Sequence, residues 1–230
     1  MDRCNENMGL LSLFLIICLI ITNVHTAMSD NGEVAALTTF KARITTDPSE
    51  ALSNWDPLLV SAGTFWHVNC NSQESAVNIN LGQLELKGTL GSELSKLTNL
   101  ENLLLNDNNF YGEIPQELGN LKSLTALLLQ NNNLSGSIPY TFGKLKNLRS
   151  LRVQGNQLTG QIPAEFGDLH QIQALDLSVN KLTGSVPKEL VGLKNLRYLN
   201  LSYNDLSGSL PAGLDKLQYL DISHTNIKAG

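Results

Sequence analysis

The chain has 230 residues, 16% of them charged, and a net charge of -5 at neutral pH. Nucleic-acid binders gather Lys and Arg into a strong positive field, so this balance argues against that class. With 44 Leu and 25 Asn, the chain can bury enough apolar surface to offset its ordering entropy, which excludes intrinsic disorder, and the excess of one apolar and one amide residue predicts a repeated unit.

Residues 10–22 form an apolar run of 13 residues, followed by Asn23-Val24-His25-Thr26-Ala27, where small residues could serve a signal peptidase. A membrane-spanning helix needs about 20 apolar residues, so residues 1–27 read as a signal peptide. Its removal takes Asp2, Arg3 and Glu6, leaving a charge of -4, and also takes Cys4 and Cys18, so Cys70 stays without an internal disulfide partner. Such a thiol packs as a small apolar side chain or reacts with another molecule.

Residues 28–75 read as an N-terminal cap. Val34, Leu37, Phe40, Lys41 and Ile44 have helical spacing, and Asp47-Pro48-Ser49 predicts a second short helix running towards Leu52 and Trp55.

Residues 76–230 read as repeats. Leu100, Leu124, Leu148, Ile172 and Leu196 recur every 24 residues, each followed by apolar residues at unit positions four and six, such as Leu103 and Leu105. The ninth position holds Asn108, Asn132, Asn156, Asn180 and Asn204; Gly112, Gly136, Gly160, Gly184 and Gly208 each precede a Pro by three residues. Side chains alternate along a strand, so positions four and six point inward together, and stacked copies about 4.8 Å apart make a parallel sheet over a continuous core. The fold class is a solenoid. The inward Asn amides need partners, which the neighbouring turns can supply as a ladder, so these five Asn are assigned to folding. Gly allows a tight bend after the strand, and Pro fixes φ on the return, where Leu118, Phe142, Phe166, Leu190 and Leu214 plug the core from the convex side. A divergent first copy carries Leu84 in the Asn place and Gly91 in the Pro place. The sixth copy is three residues short and a terminal half-copy keeps Leu217, Leu220 and Ile222 with Thr225 in the Asn place. Leu220 and Ile222 therefore lie on an uncapped edge, which predicts self-association or missing sequence.

Positions three, five, seven and eight of each unit face solvent on the concave sheet and supply the candidate partner-binding residues. Leu104 and Leu128 make an outward apolar spot, Arg152 beside Asp176 a charged one, and Tyr198 and Tyr203 are aromatic anchors. The imidazoles His67, His170 and His224 are scattered, and neither a nucleophile elbow nor a phosphate-cradling loop occurs, so no enzyme, no metal and no cofactor is expected. Asn133-Leu134-Ser135 and Asn200-Leu201-Ser202 are glycosylation sequons. A glycan on Asn200 would block the C-terminal half of the concave face.

The unit LxxLxLxxNxLxGxIPxxLGxLxx resembles the plant-type leucine-rich repeat. The stretch ALTTFKARITTDPSEALSNWDP followed by TFWHVNCN is similar to the cap of the somatic embryogenesis receptor kinase ectodomains and of related short secreted leucine-rich repeat proteins. The resemblance implies an α/β solenoid, a right-handed superhelix with a concave parallel β-sheet and a helical cap. It implies contact with a partner receptor at the cap rim through Trp66 and His67. It also implies a disulfide closing the cap, but Gly63 stands where the partner of Cys70 should be. Asn102 and Asn106 stand where the co-receptors carry tyrosines. The expected function is a secreted or plasma-membrane-associated recognition protein binding receptor kinase ectodomains or peptide ligands in plant defence or development. The alternative is an inhibitor of a secreted cell-wall hydrolase such as polygalacturonase. An ice binder would need a flat ladder of identical threonines, and the outward positions here are mixed.

Overall fold

The computed structural model describes residues 32–59 and 61–228; the apolar run at residues 10–22 and the small residues after it lie outside the described residues. Helix α1 (Gly32–Ala42) buries Val34, Ala36, Leu37 and Phe40, the apolar stripe of its sequence. Strand β1 (Ile44–Thr46) follows. The second helix expected after Asp47 does not form: the segment is a series of turns in which Glu50 has φ 53°, a left-handed conformation that an L-residue does not propagate into a helix. Asp47 nevertheless caps these turns, its two carboxylate oxygens each accepting a 2.9 Å bond, from the Ala51 and Leu52 amides. A 3₁₀ turn (Ala62–Thr64) leads into β2 (Val68–Cys70). Trp55 is buried and stacks on Phe65 at 5.4 Å, while Phe40 contacts both Trp55 and Phe110 of the coils. One apolar core thus runs from the cap into the repeats.

An inner row of strands consists of β2, β3 (Ala76–Asn80), β5 (Asn102–Leu104), β7 (Ala126–Leu128), β9 (Ser150–Arg152), β11 (Ala174–Asp176), β13 (Tyr198–Asn200) and β15 (Tyr219–Asp221), which form one eight-stranded sheet in that order. β2 is antiparallel to β3, and every later pair is parallel. Leu103, Leu127, Leu151, Leu175 and Leu199 lie in register across it and are fully buried. The register advances 24 residues per rung, except for the last step, Tyr198 to Tyr219, which advances 21.

A second row of strands is present that the repeat pattern did not suggest. β1, β4 (Lys87–Thr89), β6 (Asn109–Glu113) and β8 (Asn133–Ser135) form one sheet; β10 (Thr159–Gln161), β12 (Lys181–Gly184), β14 (Asp205–Ser209) and β16 (Asn226–Lys228) form another. An isolated bridge between Ser137 and Thr159 joins them. The repeated Gly residues sit in or beside these outer strands with φ between 75° and 85°, so they bend the second row rather than close a turn directly after the first. Pro115, Pro139, Pro163 and Pro187, with φ near -62°, precede 3₁₀ turns that carry the buried Leu118, Phe142, Phe166 and Leu190. A missing Pro N–H costs nothing at such a start.

The amides at the ninth position bond in one repeated pattern. Asn156 donates at 3.0 Å to the Leu129 carbonyl of the preceding coil and at 3.0 Å to Val153 of its own, and its Oδ1 accepts from the Leu134 amide at 2.9 Å. Asn132, Asn180 and Asn204 do the same with their own neighbours. Asn108 Oδ1 serves two amides of the divergent first copy, Leu84 and Leu86, at 3.2 and 2.9 Å. In the half-copy, the Thr225 hydroxyl donates to the Ile222 carbonyl at 2.6 Å and accepts from Ile227 at 3.3 Å, a shorter side chain doing part of the amide's work.

Candidate functional site

The concave sheet presents its outward positions in columns, because parallel rungs keep like positions side by side. Leu104 and Leu128 are register partners on β5 and β7, each half-buried, and form a shallow apolar step. At the cap rim, Trp66 is 56% exposed. Its carbonyl accepts from the Trp55 indole at 2.9 Å, and its amide donates to Asn54 Oδ1 at 3.0 Å, so the cap core holds its backbone while the ring stays in solvent. His67, also exposed, has φ 67° and accepts the Asn80 amide through its carbonyl.

The expected charged spot has a different construction. Arg152 and Asp176 are register partners, and Arg152 is exposed, but Asp176 is only 6% exposed and makes no ion pair with it. Asp176 Oδ1 accepts from the Ser178 amide and hydroxyl at 3.2 and 2.7 Å, and Oδ2 accepts from the Tyr198 hydroxyl at 3.1 Å. A carboxylate supplied with three donors is already satisfied and need not seek a cation. Tyr198 itself stacks on Tyr219 with centroids 4.4 Å apart and planes 4° from parallel; burial pushes its hydroxyl pKa up. Tyr203, 53% exposed, stacks on His224 at 4.0 Å.

A column at unit position eight was not anticipated. Gln83, Asp107, Asn131, Gly155, Val179, Tyr203 and His224 all have φ between 52° and 66°, so each of the seven inner strands from β3 to β15 is followed, three residues on, by a left-handed residue. Asn, Asp and Gly suit that conformation, whereas the β-branched Val179 does not. In the N-terminal half the column carries a polar chain: Asn131 and Asn106 each donate to Asp107 at 2.6 Å. Those bonds hold the Asp107 carboxyl below the usual carboxylate range.

Asn133 is exposed at the start of β8, while Asn200 lies half-buried on β13, its Oδ1 accepting from the Ser202 amide and hydroxyl at 3.1 and 2.8 Å. Cys70, without a disulfide partner, has its thiol pKa pushed up by burial and by Glu33 and Glu74. Among the described residues no His, Cys, Asp and Glu side chains group as metal ligands, and no helix is long and apolar enough to cross a membrane.

Comparison with known proteins places this geometry. The sequence model for a leucine-rich repeat region matches residues 79–228. Leucine-rich repeat protein 2 of Arabidopsis thaliana is 42% identical over 101 residues, 44% of this chain and 44% of that protein, so the chain matches under half the length of this relative. The crystal structure of the Arabidopsis receptor kinase HAESA in complex with the peptide hormone IDA and the co-receptor SERK1 is similar, with TM-score 0.75 and 30% identity over 85% of this chain and 34% of that one. A chain of the BIR3–SERK2 complex from Arabidopsis thaliana matches with TM-score 0.59 and 29% identity, covering 85% of this chain and 95% of its own.

Proposed function

The chain belongs to the plant leucine-rich repeat family, and on that premise we propose that it is an extracellular recognition protein that binds a receptor kinase ectodomain or a peptide ligand in signalling. The observation that carries this reading is the contrast between inward positions, uniformly apolar and buried, and outward positions that differ from rung to rung on one continuous face. A solenoid of this kind grips a partner with the side chains its core leaves free. The similar HAESA structure holds a peptide hormone and a co-receptor, and the BIR3 structure is a complex with SERK2. Trp66 and His67 at the cap rim and Leu104, Leu128, Tyr198 and Tyr203 on the sheet are the proposed contacts. Arg152 joins them, with Asp176 acting through the Tyr198 it holds. We read the five repeated Asn as the ladder that spaces these rungs.

Residues 1–27 are proposed to be removed on secretion, leaving a cap at 28–75 and repeats from 76 onward. The reading makes the protein a binding module, not a catalyst. Asn133 is the proposed glycan carrier, because Asn200 and its Ser202 are engaged with one another. Self-association through the β15 and β16 edges is the alternative use of the C-terminal end.

The test is affinity capture from a plant extracellular extract with the protein secreted from the full chain, beside its Trp66→Ala and Leu104→Glu variants. A receptor ectodomain captured by the wild type and lost by a variant is the expected result. Capture of a cell-wall hydrolase whose activity falls on binding would replace this reading with the inhibitor one.

A further inference from the structure

We propose that the C-terminal third of the concave face is a slot for a cationic side chain of the partner polypeptide, best matched by a guanidinium, held between exposed aromatic rings and over the Asp221 carboxylate. The proposal rests on the reading that this face meets a partner, and deepens it by naming what the partner must offer.

Three rungs, β11, β13 and β15, end in the same three-residue arrangement: Asp176 with Ser178, Asn200 with Ser202, and Asp221 with Ser223. In each, the serine amide donates to the Asx Oδ1, at 3.2, 3.1 and 2.9 Å, and in the first two the serine hydroxyl also donates there. The Tyr198 hydroxyl is likewise spent on Asp176. The serine amides and the Tyr198 hydroxyl are thus turned inward. What remains for a ligand is acceptor capacity on the Asp221 carboxylate and the faces of rings. A ligand that suits such a surface brings donors and positive charge and needs no donor in return, which describes guanidinium with its five N–H groups and no acceptor.

The walls point the same way. Tyr219 stacks on Tyr198 and remains 43% exposed; Tyr203 stacks on His224 and remains 53% exposed. Tyrosine rings attract a cation through their negative faces, the more so when it is desolvated. Within these three rungs the outward positions carry two carboxylates and no Lys or Arg, and among the described residues neither carboxylate is ion-paired. Hydrogen bonds from Ser223 hold the Asp221 carboxyl below the usual carboxylate range.

The experiment uses the full chain expressed in eukaryotic cells with N-glycosylation blocked, so that Asn200 is bare. The probe is acetyl-Arg-Gly-Gly-Arg-amide, titrated while the tyrosine ring signals are followed by NMR, beside the same peptide with citrulline for arginine, and beside cellohexaose. The arginine peptide should shift Tyr203 and Tyr219. The citrulline peptide should bind about tenfold more weakly, and Asp221→Asn should weaken the arginine peptide about fivefold. Asp205→Asn, on the outer row, should change nothing. Citrulline binding equal to arginine, an unchanged Asp221→Asn, or shifts by cellohexaose alone would each overturn the slot. The two readings separate cleanly: a receptor ectodomain captured equally well by wild type and Asp221→Asn removes the slot and leaves the recognition role standing, whereas arginine binding with no captured receptor does the reverse.

Discussion

A methyl carbon built on Gly63 would lie 3.4 Å from the Cys70 sulfur and 3.5 Å from its Cβ. That separation matches the Cβ pair of a disulfide, and Gly63 does not occupy the left-handed region. Gly63→Cys should therefore bridge to Cys70. Closing so short a loop should add roughly 2 kcal/mol, and the melting temperature should rise by about 5 °C. Thiol titration before and after denaturation checks it; two titratable thiols in the denatured, unreduced variant, beyond those of a retained leader, would refute the placement.

Truncating one rung of the amide column should be costly. Asn156→Ala leaves the buried Leu134 amide without its acceptor and takes one of two donors from the Leu129 and Val153 carbonyls, which keep Asn132 and Asn180; an unsatisfied buried group costs about 1–3 kcal/mol. Denaturant unfolding should show a loss of about 1–3 kcal/mol. The exposed Asn147→Ala, which removes one bond to the Lys122 carbonyl, should lose far less.

Val179 occupies φ 52° and is 51% exposed. Its branched side chain gains little burial there and suffers the conformation, so Val179→Asn should stabilise by about 1 kcal/mol. Equal or lower stability in the same unfolding assay would show that the neighbouring Tyr203 and Gly155 turns relieve the strain.

The Asp107 pKa is lowered in the folded protein by the Asn131 and Asn106 amides. A depressed carboxyl contributes stability that is fully present above its unfolded value, near 3.9, and is lost as pH falls through the folded value. Asp107→Asn should therefore be less stable than wild type at pH 6, with the difference shrinking towards pH 3. A gap independent of pH would remove the carboxylate from the explanation.

Glycopeptide mass spectrometry of the protein secreted from plant cells should find Asn133 occupied and Asn200 bare. Ser202, the hydroxyl partner of the second sequon, is 3% exposed and bonded to Asn200 itself. High occupancy at Asn200 would mean that modification precedes folding of this rung and would cover the proposed slot.

The coil architecture was legible in the sequence because two signals reinforced one another, the 24-residue recurrence and the period-two alternation of pairs such as Leu103 and Leu105. The outer row of strands was not, since each contributes at most one buried residue, such as Phe110 or Leu182, and its pairing depends on the adjacent coil more than on local pattern. Position eight hid for another reason: Gln83, Gly155, Val179 and Tyr203 share a backbone conformation without sharing chemistry. The spacing Asp176-Leu177-Ser178 allows the serine to bond back to the acid, and the same spacing recurs in the sequence at Asn200 and Asp221. The second cap helix failed because Asp47 supplies capping oxygens equally well to a string of turns.

The short sixth coil shows where length can be given up. Its three missing residues come from the outer arc, between Pro211 and Leu217, while Tyr198, Leu199 and Asn200 keep their partners Tyr219, Leu220 and Asp221 on the next rung. Circumference and pitch are therefore independent in this molecule. Its reach along a partner is quantised: grafting in or excising one whole cassette would move it by a single step of about 4.8 Å, whatever the size of the cassette.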